Sequence, residues 1–139
     1  MMTEVTRAEA RYLRALRRLG GLERFVGSSE VARELGVSKP TSVIMLKRLE
    51  AKGLVCYEKR RGARITEDGE ACLRELDWRH VVIESLLTSV GIPEEEACMA
   101  AREMELCVPL STLVIACRVL GHPSESPCGL KAEHPEVVT

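Results

Sequence analysis

Apolar positions in the first half of the chain recur every three to four residues, which is the spacing of amphipathic helices. This spacing predicts a first helix over residues 6–19, and Gly20-Gly21 ends it. A second short helix is predicted after Ser28 or Ser29, either of which is a suitable N-cap. Both helices carry one apolar face, so we expect them to pack against a shared core.

A third helix and a hairpin are predicted next. The helix begins with Ser38 as N-cap, has Pro40 in its first turn and ends near Lys52. Two β-prone runs, residues 54–59 and 63–66, then flank a short turn that contains glycine. Two helices joined by a tight turn and followed by a basic hairpin are typical of a winged helix-turn-helix domain.

The second half of the chain is predicted to be helical throughout. A helix with Thr66 as N-cap is predicted through Leu76, and residues 78–90 continue helically. Pro93 then opens another helix that reaches about Cys107. The last helix, residues 110–120, is apolar on nearly every face. Such a helix is buried in a core or against a second subunit.

The predicted fold class is therefore mainly α. A winged helix-turn-helix with a small β-hairpin occupies residues 1–66, and an all-helical dimerisation domain occupies residues 67–123. Residues 124–139 contain little core material and are expected to form a loosely ordered tail. A symmetric dimer would match the pseudo-palindromic sites that helix-turn-helix proteins use.

Charge separates the same two halves. The formal net charge is −1, but residues 1–65 carry 15 basic and 7 acidic side chains, and residues 66–139 carry 5 and 14. Such asymmetry favours a polyanion partner for the basic half. The cations lie on the second helix of the pair and on the hairpin, where they would neutralise the phosphates of double-stranded DNA. The predicted DNA-binding residues are Ser38, Lys39, Pro40, Thr41, Ser42, Lys47, Arg48, Lys59, Arg60, Arg61 and Arg64.

Other classes of protein are not expected. No apolar run reaches the length of a membrane span, and the first residues lack the pattern of a signal peptide, so a cytoplasmic protein is expected.

The six cysteines include no C-x-x-C pair and are interpreted as reduced thiols, with Cys107 and Cys117 in the core and Cys128 exposed. No nucleophile–base pair or phosphate loop indicates an enzyme.

Several segments spread over residues 5–130 resemble one known family. They are Glu9 to Leu19, Val31-Ala32-Arg33-Glu34-Leu35-Gly36-Val37-Ser38, Arg48-Leu49-Glu50-Ala51-Lys52-Gly53-Leu54-Val55, Arg61-Gly62-Ala63-Arg64-Ile65-Thr66, Arg79-His80-x-x-x-Glu84, Ala97 to Leu106, and Gly121-His122-Pro123. Together they resemble the diphtheria-toxin-repressor family of iron- or manganese-dependent repressors. The resemblance implies a homodimer whose DNA affinity is raised by metal, in the short form without a C-terminal barrel-like domain.

The primary metal site of that family aligns poorly with this chain. Its ligand positions fall on Arg11, Arg102, Glu105 and Leu106 in a gapless register. Only the glutamate among these is a metal ligand, because arginine has no acceptor atom. The two arginines would repel a divalent ion and are expected to pair with Glu9 or Glu105 instead. A shifted register would bring in Glu103 and Cys107, at the expense of a gap before Gly121.

The second family site aligns better, with His80, Glu84 and Cys98. Imidazole, carboxylate and thiolate suit Zn(II) or Fe(II), and the resemblance also implies Mn(II). The predicted metal residues are therefore these three and Glu105. Arg102, one turn from Cys98, is expected to lower the pKa of its thiol. An ordinary surface i,i+4 pair of His80 with Glu84, and a plain buried thiol at Cys98, stay open as alternatives.

The sequence thus predicts a metal-responsive repressor that binds DNA. One alternative keeps the winged helix but loses metal dependence, so that the regulator is constitutive or senses oxidation at Cys98 or Cys107. Another is an interaction module that does not bind DNA. Salt-dependent DNA affinity, and its response to chelator or oxidant, separates these three hypotheses.

Overall fold

The computed structural model describes residues 4–135. Its elements, in chain order, are α1 (Arg7–Arg18), α2 (Ser28–Leu35), α3 (Lys39–Ala51), β1 (Val55–Glu58), β2 (Gly62–Ile65), α4 (Glu67–Ser89), α5 (Glu94–Met104) and α6 (Leu110–Val119). Two compact units, Met1–Leu73 and Arg74–Thr139, divide the chain within α4. Among the described helices, none has both the length and the apolar character that crossing a membrane requires.

Side chains cap α1 and α3 at their N-termini. The Thr6 hydroxyl accepts a hydrogen bond from the Glu9 backbone at 3.1 Å, and the Glu9 carboxylate accepts one from the Thr6 backbone at 3.3 Å, which completes a capping box. The Ser38 hydroxyl accepts from the Thr41 backbone at 3.3 Å. The predicted role of Ser38 is confirmed, and Pro40 lies in the first turn of α3 as expected.

The start of α2 differs from the prediction. Its N-cap is Gly27, and Ser28 is already the first helical residue, with a buried side chain. The Glu30 carboxylate reaches back and accepts a hydrogen bond from the Gly27 backbone at 2.9 Å. The serine cap was wrong because this carboxylate satisfies the N-terminal backbone donor without a hydroxyl.

The hairpin completes a winged helix-turn-helix in the first unit. β1 pairs antiparallel with β2, with Val55 opposite Ile65, and Val26 adds a bridge to Ala63. Gly62 has φ +98°, and a side chain there would collide with the Val26 carbonyl oxygen. Five leucines are fully buried in the core of this unit: Leu13, Leu16, Leu46, Leu49 and Leu54.

A buried carboxylate links α1 to α3. Glu9 is fully buried, and Lys52 Nζ lies 2.9 Å from its Oε1 and 2.8 Å from its Oε2. Burial raises the pKa of Glu9, but hydrogen bonds from Lys52 and Thr6 outweigh burial and hold the pKa below its ordinary value. Arg11 does not take part, contrary to the expected pairing, and instead donates to the Leu35 carbonyl at 3.1 Å.

We expect Lys52→Met to lower the free energy of unfolding by about 1–3 kcal/mol, because it removes a charged donor from a buried carboxylate. The pKa of Glu9 is lowered in the folded state, so this stabilisation is present at neutral pH and is lost as the pH falls through that lowered pKa. Urea unfolding of the full chain at neutral and acidic pH measures the effect. Lys47→Met, at an exposed lysine of α3, is the control. Equal stability of the two variants at neutral pH would contradict the prediction.

The second unit has an aliphatic core built around one tryptophan. α4 is a single helix of 23 residues, which confirms the predicted helical continuation to about Val90. Trp78 and Ile83 of α4 pack with Leu113 and Cys117 of α6. α5 ends at Met104, earlier than predicted, and the Arg79 guanidinium binds the carbonyls beyond its end: Glu105 at 3.1 Å and Val108 at 3.0 Å.

The chain after α6 folds back on itself as a short loop. The Ala132 backbone donates to Ser124 at 2.9 Å, and the Ser126 backbone donates to Leu130 at 2.8 Å. We call residues 124–135 the return loop. Residues 136–139 of the predicted tail lie outside the described part of the chain. The loose order of the tail and the predicted domain boundaries stay predictions.

Candidate metal centre and nucleic-acid interface

Four donor side chains converge in the second unit. His80 and Glu84 lie one turn apart on α4 and are fully buried, with His80 Nε2 2.9 Å from Glu84 Oε2. Cys98 of α5 places its Sγ 3.6 Å from the same Nε2, and Cys128 of the return loop places its Sγ at 3.7 Å. All four ligand atoms lie within 4.8 Å of one another. We call these residues the His80 cluster.

The geometry of the His80 cluster fits a metal ion. A ring nitrogen has a single bonding direction, so Nε2 cannot form good hydrogen bonds to three neighbours at once. Tetrahedral zinc with ordinary bond lengths holds sulfur and nitrogen ligands about 3.6 Å apart, close to the two observed sulfur–nitrogen distances. Glu84 Oε1 is buried and has no hydrogen-bond partner among the described residues. A cation among these donors would satisfy that orphaned oxygen.

Glu105, one of the predicted metal residues, lies on the other side of the imidazole. Its Oε2 is 3.3 Å from His80 Nδ1, whereas the other members of the His80 cluster face Nε2. A carboxylate at the second ring nitrogen orients a metal-binding histidine and raises its basicity. The structure therefore places the Glu105 carboxylate within ion-pair distance of the second ring nitrogen, outside the group of four donors.

Cys98 is not the activated thiol that the sequence pattern suggested. Burial raises its pKa, and the neighbouring Cys128 and Glu84 raise it further. Arg102 acts in the opposite direction but has the smallest effect, so the expectation of a lowered pKa is wrong. The Cys98 thiolate would be repelled by the negative charges of Glu84 and of a Cys128 thiolate. A bound cation would relieve this repulsion.

The member of the His80 cluster that the sequence pattern does not indicate is Cys128. Cys128 is exposed, as predicted. Its Sγ nevertheless lies 3.7 Å from His80 Nε2 and 3.0 Å from the Ser126 hydroxyl oxygen. Cys117 is buried as predicted. Cys107 is exposed, and the prediction that it belongs to the core is wrong because it lies beyond the last turn of α5.

The predicted DNA-binding residues form the exposed side of α3 and the hairpin. Ten of the eleven are exposed: Ser38, Lys39, Pro40, Thr41, Lys47, Arg48, Lys59, Arg60, Arg61 and Arg64. Ser42 is the exception, since its side chain is fully buried. Ile44, on the same helix, is 62% exposed and is available for an apolar contact in a groove.

Two of these cations have partners within the first unit. The Arg61 guanidinium lies 4.0 Å above the Phe25 ring and 3.3 Å from Glu58, which fixes it at the hairpin turn. Arg48 lies 3.6 Å from the buried Glu9. The remaining lysines and arginines extend from exposed positions, where phosphate contacts would neutralise them without breaking internal pairs.

Two family models match nearly the whole described chain. Residues 4–63 match the model for the N-terminal DNA binding domain of iron dependent repressors. Residues 66–133 match the model for the metal binding and dimerisation domain of iron dependent repressors. The two matches follow one another without overlap and meet close to the end of the hairpin.

Individual proteins and solved structures are also similar to this chain. The transcriptional regulator MntR of Escherichia coli is 39% identical over 84 residues, which are 60% of this chain and 54% of that protein. The chain thus spans about half the length of the curated relatives it matches. A hypothetical protein, SSo2273 from Sulfolobus solfataricus, is similar in structure with a TM-score of 0.85 and 28% identity, over 94% of this chain and all of that one. The regulator ScaR with bound Cd²⁺ has a TM-score of 0.74 and 28% identity, over 86% of this chain and 56% of its own.

Proposed function

The chain belongs to the iron-dependent repressor family, and we propose on that premise that it is a transcription regulator whose DNA affinity rises when a divalent metal binds. The observation that carries this proposal is the His80 cluster, in which four donors converge on one point. A metal held there would stabilise the arrangement of α4, α5 and the return loop that contribute its ligands. Metal and DNA are then coupled, since each favours the same conformation of the chain.

The donor set favours Zn(II) or Fe(II) over Mn(II). Two thiolates are soft ligands, which zinc and iron accept well, whereas manganese prefers oxygen donors. One imidazole, one carboxylate and two thiolates complete four positions, the usual number at a closed zinc site. His80 and Glu84 would supply two ligands from a single helix, α4. Cys98 would supply a third from α5, and Cys128 a fourth from the return loop.

DNA binding is supported by the position of the cations. The N-terminal turn of α3 would enter the major groove, with Lys39 and Thr41 near base edges or phosphates. The hairpin would follow the backbone with Lys59 and Arg60. Ser42 is left out of the proposed interface because it is buried.

A homodimer is proposed from the apolar face of α6. Ile115 and Val119 lie four residues apart on this helix and are 61% and 82% exposed. Two exposed aliphatic side chains on one face of a helix form an apolar patch that a partner can cover. The match to a dimerisation domain indicates a second copy as the partner that covers them.

We expect Val119→Asp, and independently Ile115→Asp, to convert the dimer into monomers at micromolar concentration, because a charge would be buried in an apolar contact. Sedimentation velocity measures the change. Val90→Asp, at a valine 71% exposed and outside α6, is the matched control and is expected to stay dimeric. If both α6 variants sediment as the wild type does, this face is not the interface.

Selection from a pool of random double-stranded DNA tests the proposed function. The protein is first stripped with chelator under reducing conditions and then supplied with Zn(II), Fe(II) or Mn(II). We expect a palindromic sequence to be enriched with Zn(II) or Fe(II) and no sequence to be enriched with chelator. The same sequence in both conditions would show that metal is not the input. Failure to enrich any sequence would contradict the DNA-binding proposal.

A further inference from the structure

A second cluster of donor side chains lies at the end of α6. Cys117, His122 and His134 each offer one ligand atom within 4.8 Å of the others, and none of them belongs to the His80 cluster. Cys117 Sγ is 3.6 Å from His122 Nδ1. Tetrahedral zinc places a thiolate sulfur and an imidazole nitrogen about 3.6 Å apart.

The backbone at the end of α6 places His122 beside Cys117. The His122 N–H donates to the Cys117 carbonyl at 2.8 Å and the Gly121 N–H donates to the Arg118 carbonyl at 3.1 Å, which is a Schellman motif. His122 has φ +56°, the one positive φ of a non-glycine residue among those described. A left-handed conformation is unfavourable for histidine, so the placement of Nδ1 beside the thiol comes at a cost in backbone energy.

The return loop brings the third donor. After its turn it runs back along its own first residues, where the Ala132 backbone donates to Ser124 at 2.9 Å. His134 follows two residues later, with its ring centroid 5.5 Å from that of His122 and the ring planes at 76°. Its Nε2 is buried and has no hydrogen-bond partner among the described residues. A buried ring nitrogen without a partner is unfavourable unless a ligand satisfies it.

We propose that Cys117, His122 and His134 form a second metal site for a zinc-like divalent ion. One thiolate and two imidazoles are a set that Zn(II) binds well and that Mn(II) binds poorly. Cys117 is fully buried and His122 is exposed, so a fourth position faces solvent and would hold water. Cys128 and His134 lie six residues apart on the return loop. Each ion would therefore fix a different part of this loop, one at its turn and the other at its returning end.

Titration of the full chain with Co²⁺ under reducing conditions tests the second site. We expect two ions per wild-type chain and one ion per chain in His122→Asn and in His134→Ala. Asparagine tolerates the left-handed backbone at position 122, so that variant removes the imidazole and keeps the turn. The sulfur-to-cobalt charge-transfer absorption reports the number of bound thiolates, which is two at the His80 cluster and one at the second site. This absorption is expected to fall by about one third in both histidine variants.

Cys128→Ser separates the two sites. It is expected to disturb the ion at the His80 cluster and to leave the second ion and its share of the sulfur absorption unchanged. A wild-type chain that binds a single ion, lost in Cys128→Ser, would overturn the second site and leave the proposed function intact. A second ion that persists in either histidine variant would overturn this choice of ligands. Circular dichroism of each stripped variant checks that the fold is kept.

Discussion

Replacement of Cys128 by serine is expected to weaken Zn²⁺ binding at the His80 cluster by about 100-fold or more. Four-ligand zinc sites bind with about 10–16 kcal/mol, so each ligand accounts for about 3 kcal/mol. Cys128 is exposed, and serine there keeps the loop and its contact with Ser126. His80 and Glu84 are fully buried and less suitable targets, because their replacement would also disturb packing. Competition with a chromophoric chelator measures the affinity.

Cys107→Ser is the matched control for this variant. Cys107 is an exposed cysteine of the same unit whose sulfur contacts the Glu103 carbonyl at 3.8 Å. We expect its zinc affinity to equal that of the wild type. Equal loss in both serine variants, or no loss in Cys128→Ser, would contradict the assignment of the return loop to the metal centre.

The double variant Lys59→Ala/Arg60→Ala is expected to bind DNA about 10- to 100-fold more weakly at 0.1 M salt, because each lost phosphate contact changes the slope of log K against log[salt] by about 0.9. Both side chains are exposed at the hairpin turn. Arg61 is left in place because it stacks over Phe25, and its removal would alter the turn itself. Fluorescence anisotropy at several salt concentrations measures the affinity and the slope.

Arg118→Ala is the control for the hairpin variant, since it removes an exposed cation of the second unit. We expect this control to keep the wild-type slope. The slope of the double variant should be smaller by about two. A slope equal to that of the wild type would show that the hairpin does not contact phosphate, and the proposed interface would then be reduced to α3.

The winged helix was predictable because its signals are local. The helical spacing of apolar residues and the glycines that end the helices were enough to predict α1 to α3. Ser38 as N-cap and Pro40 in the first turn gave the correct start of α3. The cap of α2 was missed, because Glu30 acts from inside the helix on a glycine that carries no side-chain signal. Helix ends are decided by such single hydrogen bonds, so they are harder to predict than the helices themselves.

The metal centre was predictable in part. His80 and Glu84 are four residues apart, and helical geometry alone places them on one face. Cys128 comes from a loop 44 residues beyond Glu84, and no periodicity relates the two positions. The role of Glu105 depends on which ring nitrogen it faces, which follows from packing of α5 against α4 and not from spacing. The effect of Arg102 on Cys98 was overestimated, since burial and the neighbouring acidic groups dominate.

Metal at the His80 cluster is proposed to raise DNA affinity, and this coupling can be measured directly. The direct test is the dissociation constant of wild-type protein for the selected duplex, measured at one salt concentration with chelator and with Zn²⁺, beside Cys128→Ser under the same conditions. Free Zn²⁺ is buffered between the zinc dissociation constants of the wild type and of the variant, so that only the wild-type site is filled. We predict an increase in affinity of about 5- to 150-fold with metal for the wild type, and no increase for the variant. Equal wild-type affinity in chelator and in Zn²⁺ would show that metal binding and DNA binding are not coupled.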